Sequence, residues 1–141
     1  MSLSYHPAIG AILMCDFDTG FRPPEMVKRR PVVIISPRLR QRENLVTVVP
    51  LSTTPPNHKM DYHIEFTLAN PLPSPFNNPS MWAKCDMLAT VGLTRLDRFK
   101  MPRHDKGPRK WVAGEVSPAD LKRIRIAILH AIGLSFLTKQ L

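Results

Sequence analysis

Prolines constrain the fold of this chain more than any other feature, because 15 of its 141 residues are proline. Proline lacks a backbone N–H and breaks helix interiors, so long helices are excluded over most of the length. The prolines cluster at residues 23–24, 55–56 and 71–79, which predicts loops there. Between and beside the clusters lie short apolar, β-branched runs, at residues 8–17, 31–37, 44–52, 61–68 and 80–93. Such runs predict the strands of a small barrel or sandwich, with two short strands or one bent strand at the last position.

The C-terminal segment follows a different pattern, which is typical of one amphipathic helix. Ser117, Pro118 and Asp120 form a helix-start signal with a hydroxyl N-cap, a proline at the first helical position and an acidic third residue. Gly133 is placed to end the helix. The apolar positions recur at helical spacing and predict the buried face: Leu121, Ile124, Ile128, Ala131 and Ile132. We therefore expect one domain spanning residues 1–141, mostly β with a C-terminal helix.

The charge balance predicts an anionic partner. The chain carries 20 Lys and Arg against 11 Asp and Glu, a net charge of +9, which favours binding to nucleic acid or to a negatively charged protein. The stretch 98–110 is strongly basic and predicts an exposed loop or hairpin that turns at residues 105–107. This loop either extends a track for nucleic acid or is only a solvated surface loop.

Several classes of protein are excluded by what the sequence lacks. Cys15 and Cys85 are too few for a disulfide scaffold or a cysteine-rich zinc module, and they suit a reducing cytosol. The five histidines are scattered without metal-ligand spacing, and no phosphate-binding glycine motif is present. No apolar run approaches the ~18 residues of a membrane span, and no secretory signal opens the chain. We expect a cytoplasmic protein with no metal, no cofactor and no membrane partner.

Three short segments carry the candidate chemistry. Arg30 stands where a basic loop enters a hydrophobic strand, and its guanidinium group matches the geometry of phosphate oxygens. Ser52 and Thr53 put hydroxyl groups at the end of the next strand. Lys84 and Asp86, two residues apart, would share one face of a third strand, where the carboxylate is a candidate general base.

Taken singly, each segment also has a purely structural interpretation. Arg30 fits a solvated charge at a strand end, and Ser52 and Thr53 fit a turn. Lys84 and Asp86 fit a surface ion pair that contributes little stability.

The order of these segments resembles the PemK/MazF/Kid family of toxin endoribonucleases. RRPVVIISP is followed by VVPLSTTPP, then by KCDM and then by a capped helix, and the opening run GAILMCDFD is similar to that family's first strand. Ala11 stands where the family usually has an acidic residue, Lys84 where the Kid-type pattern has arginine, and Ser52 where a threonine is usual. The resemblance implies an SH3-like β-barrel with a C-terminal helix, working as a homodimer.

The resemblance also implies roles for individual residues. Asp86 would be the general base, Arg30 would bind the charge that develops on phosphorus, and Lys84 or Arg30 would serve the leaving group. Ser52, the fourth catalytic position, would fix the phosphate together with Thr53. The implied contacts to substrate are Glu25, Lys28, Arg29, Thr53 and Thr54.

The implied function is that of a growth-inhibiting, metal-independent endoribonuclease. It would cleave single-stranded RNA through attack of a 2′-hydroxyl group, and an acidic antitoxin protein would neutralise it. Two alternatives remain open from the sequence. One is a CcdB-like protein-binding inhibitor that poisons gyrase, and the other is a catalytically inactive barrel that binds nucleic acid.

Overall fold

Over the part of the chain that the structure describes, each predicted run forms a strand or two, four further two-residue strands lie outside the runs, and one α-helix follows near the C-terminus. The computed structural model describes residues 3–102 and 107–141. Its strands are β1 (Ala11–Asp16), β2 (Arg29–Ile34), β3 (Leu45–Ser52), β4 (His63–Thr67), β5 (Ser80–Lys84), β6 (Ala89–Gly92), β7 (Leu96–Asp97), β8 (Phe99–Lys100), β9 (Trp111–Val112) and β10 (Gly114–Glu115). The helix α1 spans Pro118–Ala131, and three short 3-10 helices span Cys85–Met87, Leu93–Arg95 and Ser135–Gln140.

Three antiparallel strands, β1, β2 and β3, form the centre of the main sheet. Each outer edge of this centre is shared by two short strands. β10 pairs with the start of β1 and β7 with its end, while β6 pairs with the first half of β3 and β5 with its last residues. β4 is added outside β5. The sheet therefore runs in the order β10-β1-β2-β3-β5-β4, and over the described ranges its hydrogen bonds do not close into a ring.

Both faces of the central strands are buried, which explains the unbroken apolar run in β2. Val33 belongs to a core that also contains Ile124 and Ala127 of α1. Its neighbours Val32 and Ile34 point the other way, into a second core on the opposite face. A strand covered on one side only would alternate apolar and polar residues, whereas this strand needs an apolar residue at each position.

Of the two predicted alternatives for the segment 80–93, the structure has two short strands, with the 3-10 helix Cys85–Met87 between them. Pro50 of β3 has no N–H to donate at this point of the ladder. β5 pairs with β3 at Leu51 and Ser52, and β6 pairs with it from Val48 backwards. The chain thus leaves the sheet after Lys84, opposite Pro50, and rejoins it at Ala89.

The helix starts and ends where the sequence predicts. The Ser117 hydroxyl accepts a hydrogen bond from the Asp120 N–H at 3.1 Å, and Gly133 follows the helix with φ +79°. Ile124 and Ala127 are its fully buried residues. The prediction that Ile132 lies on the buried face was wrong, because Ile132 is the C-cap and is 52% exposed.

The two cysteines are buried and unpaired with one another. Burial raises the pKa of both thiols to about 12, with Arg95 acting against this at Cys15 and the Asp86 charge adding to it at Cys85. The Cys85 thiol also points at the Ile124 carbonyl of α1, with sulfur and oxygen 3.8 Å apart. Both residues therefore act as packing groups rather than nucleophiles.

The basic stretch 98–110 is flanked by the paired strands β8 and β9, as a hairpin requires. Most of its predicted turn at Asp105, Lys106 and Gly107 lies outside the described residues. None of the helices in the described ranges combines the length and the apolar character needed to cross a bilayer.

Replacing Ile124 by alanine tests the importance of the helix contact. Ile124 is 0% exposed in the core shared by α1 and the sheet, so Ile124→Ala should lower the free energy of unfolding by about 2–5 kcal/mol. The exposed Ile132 supplies the matched control, and Ile132→Ala should change it by less than about 1 kcal/mol. Urea titration followed by circular dichroism measures both. Equal losses in the two variants would contradict the placement of the core.

Candidate active site

Two buried polar side chains distinguish one end of the sheet. Among the described residues, Ser52 and His63 are the polar or charged residues in the buried class, at 6% and 9% exposure. Buried polar residues are uncommon and require hydrogen-bond partners, so they often mark a functional region. Ser52 ends β3 and His63 begins β4, and β5 lies between these strands.

A row of side chains crosses four strands at this end. Ser52 lies directly opposite Trp82 of β5, and Trp82 lies opposite Glu65 of β4. On the other side of β3, Val32 pairs with Pro50, and the same register continued by two residues sets Arg30 opposite Ser52. Directly opposed residues project from the same face of a sheet. We call the row Arg30–Ser52–Trp82–Glu65 the cross-strand row.

Lys84 and His63 extend this face by one more pair. Lys84 is two residues beyond Trp82 on β5, so it projects from the same side, and it lies directly opposite His63. Over the described residues, Lys84 forms no ion pair, and its ammonium group remains available to an anion. The face therefore carries two cations, Arg30 and Lys84, on either side of a buried hydroxyl group.

Asp86 reaches this region from a different element than predicted. The expectation that Lys84 and Asp86 share a strand face was wrong, because β5 ends at Lys84 and Asp86 lies in the 3-10 helix that follows. The break in pairing opposite Pro50 is the cause, since the chain turns out of the sheet there. Asp86 is 40% exposed at the side chain, and its Oδ1 lies 4.0 Å from the His63 Nε2.

The loop between β1 and β2 aims Arg30. Lys28 has φ +73°, in the left-handed region that non-glycine residues seldom adopt. Its carbonyl accepts a hydrogen bond from the Phe17 N–H at 2.9 Å and closes the loop. The Arg30 Nε donates to the Val27 carbonyl at 2.8 Å. This bond fixes the plane of the guanidinium group and leaves its two terminal nitrogens without a partner among the described residues.

Arg95 anchors the other half of the same loop. One terminal nitrogen of Arg95 donates to the carbonyls of Asp16 and Thr19, at 2.9 and 2.7 Å. Its guanidinium carbon lies 4.9 Å from the centre of the Phe21 ring, and Phe21 packs edge-on against Phe17. A single half-buried arginine therefore links the loop to the 3-10 helix Leu93–Arg95.

Glu25 and Asp86 line the same cleft. This cleft has a volume of about 370 Å³ and lies between the β1–β2 loop and the segment Asp86–Ala89. Its remaining lining is mostly apolar, with Phe17, Phe21 and Met87 among the side chains. Two carboxylates thus line one opening, to which neither Arg30 nor Lys84 contributes.

The other predicted site residues occupy less defined positions. Arg29 lies opposite Asp16 on β1 and projects from the other face of the sheet than Arg30. Lys28, Thr53 and Thr54 are exposed, and Thr54 is placed by its N–H, which donates to the Ser52 hydroxyl at 3.1 Å. The structure therefore places Arg30, Ser52 and Lys84 on one face, sets Asp86 just beyond the end of β5 and Glu25 in the cleft shared with Asp86, and turns Arg29 away.

His63 and Trp82 were missed from the sequence as candidate site residues. The signal for His63 was its polar position at the start of an otherwise alternating strand. The signal for Trp82 was its place two residues before Lys84. Neither signal identifies a site residue by itself. The pairing of β4 with β5 and of β5 with β3 brings His63 and Trp82 to the site, and it joins residues far apart in the chain.

The described residues contain no group of three or more His, Cys, Asp or Glu side chains that could hold a metal ion. The arrangement instead offers fixed cations, a hydroxyl group and carboxylates around an open face. Such a set can bind a phosphate group and move a proton beside it.

A family model and two bacterial relatives each match most of the chain. A family model described as PemK-like, MazF-like toxin of type II toxin–antitoxin system matches residues 8–132. YifN of Escherichia coli (strain K12) is 31% identical over 153 residues, covering 95% of this chain and 99% of the relative. A protein of Haemophilus influenzae is 31% identical over 150 residues, covering 97% of this chain and 98% of the relative.

Solved structures share the fold at lower sequence identity. A mycobacterial endoribonuclease in complex with its cognate antitoxin superposes with a TM-score of 0.61 at 24% identity, covering 92% of this chain and 97% of that one. Toxin MazF-mt6 of Mycobacterium tuberculosis gives 0.59 at 22% identity, with 87% and 96% covered. MazF of Deinococcus radiodurans gives 0.59 at 20% identity, with 92% and 99% covered. The predicted fold class, a small barrel-like β structure with a C-terminal helix, is confirmed.

Replacing Arg95 tests whether it holds the loop that aims Arg30. Arg95→Ala removes two hydrogen bonds and a cation–π contact, so amide exchange over residues 17–28 should accelerate by about tenfold or more. Hydrogen–deuterium exchange with peptide-level mass spectrometry measures this. Arg125→Ala, on the exposed side of α1, is the matched control and should leave the loop unchanged. Unaltered loop protection in Arg95→Ala would refute the anchoring role.

Proposed function

Because the chain belongs to the PemK-like, MazF-like toxin family of type II toxin–antitoxin systems, we propose that it is a metal-independent endoribonuclease. Membership confirms the family predicted from the order of the sequence motifs. The proposed substrate is single-stranded RNA, including messenger RNA, whose cleavage would stop translation and growth. We take residues 1–141 as one toxin domain.

The cross-strand row is the observation that carries this proposal. Continuing the β2–β3 register by two residues puts Arg30 opposite the buried Ser52 hydroxyl, with Lys84 on the same face and Asp86 just beyond the end of β5. A surface ion pair or a simple turn would not require these groups to converge. Their convergence instead matches what cleavage of a phosphodiester needs: charge stabilisation, a fixed phosphate and a base.

In the proposed reaction, the Asp86 carboxylate accepts the proton of the RNA 2′-hydroxyl group. The 2′-oxygen attacks the adjacent phosphorus, and the bond from phosphorus to the 5′-oxygen breaks. The products are a 2′,3′-cyclic phosphate and a free 5′-hydroxyl group. Since this step uses the 2′-hydroxyl group, DNA would not be a substrate.

The two cations take different parts in this step. The Arg30 guanidinium group stays charged and presents two terminal nitrogens, which suits the negative charge on the non-bridging oxygens. The Lys84 ammonium group is the better proton donor to the leaving 5′-oxygen, because arginine does not release its proton in proteins. Ser52, with Thr53 beside it, holds the phosphate by hydrogen bonds.

Further contacts to RNA come from the surroundings of the row. Trp82 is half-buried between Ser52 and Glu65 and offers a flat ring for a neighbouring base. Lys28 and Thr54 would contact the RNA backbone farther from the reacting phosphate, and Glu25 lines the cleft shared with Asp86. Arg29 projects from the opposite face of the sheet, so the predicted contact from Arg29 is not part of this proposal.

We also propose the partners and compartment that accompany this activity. The net charge of +9 suits an acidic antitoxin that competes with RNA for the same basic surface. By likeness to the toxin fold, the working unit is a homodimer. Two buried free thiols suit the reducing cytoplasm.

Removing Arg30 tests the proposed activity. Purified protein is incubated with long single-stranded RNA in EDTA, and Arg30→Ala should cleave at least ~100-fold more slowly, because it loses the charge opposite the phosphorane. Arg38→Ala, which removes only a surface ion pair with Glu43, should cleave normally. The ends of the products identify the chemistry. No cleavage by the unmodified protein, or equal cleavage by the Arg30→Ala variant, would contradict the proposal and favour a binding-only or gyrase-directed protein.

A further inference from the structure

We propose that His63 is a positioning residue that holds the Asp86 carboxylate towards the cleft. The His63 Nε2 lies 4.0 Å from the Asp86 Oδ1, and the histidine side chain is only 10% exposed while the aspartate is 40% exposed. A buried ring therefore lies beside a half-exposed carboxylate. The proposal rests on the proposed function, in which Asp86 accepts the 2′-hydroxyl proton.

The backbone fixes which nitrogen of His63 carries the proton. The Met60 N–H donates to the His63 Nδ1 at 3.0 Å, so Nδ1 acts as the acceptor. In a neutral imidazole the other nitrogen then carries the hydrogen, which makes Nε2, 4.0 Å from the Asp86 Oδ1, the donor on that side of the ring. A hydrogen on Nδ1 would face the Met60 N–H, so that two donors would meet without an acceptor. The turn before β4 thus selects the tautomer that can donate to the carboxylate.

Packing fixes the ring as well as the proton. The Tyr62 ring meets the imidazole edge-on, with centroids 4.6 Å apart. The Tyr62 carbonyl accepts a hydrogen bond from the Cys85 N–H at 3.1 Å. This bond ties the start of β4 directly to the 3-10 helix that carries Asp86. The donor and the carboxylate are therefore held on two elements that cannot shift independently.

Other charged or titratable groups lie near His63 and Asp86 or resemble this pair. Lys84 lies opposite His63 on β5, and Glu25 lines the cleft shared with Asp86. On α1, His130 faces the neighbouring Asp61, with Nδ1 and Oδ2 3.8 Å apart, so this second histidine has its own carboxylate. Bound RNA would shorten the contact between His63 and Asp86, as often happens when a substrate closes a site.

The consequence for the reaction concerns orientation. Once the 4.0 Å separation shortens to hydrogen-bond length, Nε2–H would hold Oδ1 and leave the second oxygen of Asp86 to accept from the RNA 2′-hydroxyl group. Without His63, a half-exposed carboxylate in the three-residue helix Cys85–Met87 would sample several rotamers, and fewer of them would reach the proton. His63 acts through Asp86 and needs no contact with RNA.

Two conservative variants separate this role from simple core packing. Asparagine places an acceptor near the position of Nδ1 but has no group near Nε2, so His63→Asn should retain the Met60 contact and lose the contact to Asp86. Glutamine places an amide near Nε2, so His63→Gln should keep a donor to Asp86. We expect RNA cleavage by His63→Asn to fall by about tenfold or more and His63→Gln to restore most of the rate. Unchanged cleavage in His63→Asn, or equal loss in both variants despite native folding, would overturn the proposal.

A measurement without RNA keeps this test independent of the proposed function. Nitrogen-15 spectra of the histidine rings in the unmodified protein should show His63 as the Nε2–H tautomer. Asp86→Asn should shift the Nε2 resonance of His63 and leave that of His6 unchanged. An Nδ1–H tautomer, or an Nε2 resonance insensitive to Asp86→Asn, would overturn the role of His63. Absence of RNA cleavage by the unmodified protein would instead overturn the proposed function, and the spectra would still decide whether the histidine holds the carboxylate.

Discussion

The antiparallel register between β2 and β3 is the constraint on which the rest of the site depends. A slip by one residue would move every side chain of β2 to the other face of the sheet. Val32, Val33 and Ile34 are fully buried in cores on both sides, so the register cannot slip without exposing part of one core and burying polar groups. The same register sets Arg30 opposite Ser52. The register that packs both cores therefore also places the site residues.

The second requirement is a controlled interruption of the sheet. Pro50 cannot continue the ladder of β3, and the chain between β5 and β6 turns away there as a short 3-10 helix. This excursion carries Asp86 beyond the sheet surface, beside the cleft under the β1–β2 loop. Lys84 lies in β5, whereas Asp86 lies in the 3-10 helix that follows. Over the described residues, the two side chains form no ion pair with each other. In the proposed reaction, such an ion pair would occupy the groups that act on the phosphate and its neighbouring hydroxyl.

The sequence could predict the parts of the site that depend on local pattern. The hydrophobic run of β2, the hydroxyls after β3 and the capped helix are local signals, and Arg30 and Ser52 follow from them. Asp86 was assigned to a strand because the break opposite Pro50 depends on pairing with a distant strand. His63 was missed for the same reason, since its partners lie across the contacts of β4 with β5 and the following turn. The sequence separates the roles of Arg29 and Arg30 only by resemblance to a family, and the pairing of β1 with β2 shows that the two side chains lie on opposite faces.

The central claim, that the reacting phosphate of RNA binds on the cross-strand row, is tested most directly by nuclear magnetic resonance. A short single-stranded RNA with 2′-deoxy nucleotides at its cleavage site resists cleavage, so it can be titrated into isotopically labelled protein. The account predicts shifts centred on Arg30, Ser52, Trp82 and Lys84, with Asp86 at their edge. Shifts confined to the basic stretch 98–110 or to the C-terminal helix, with the row unaffected, would contradict it.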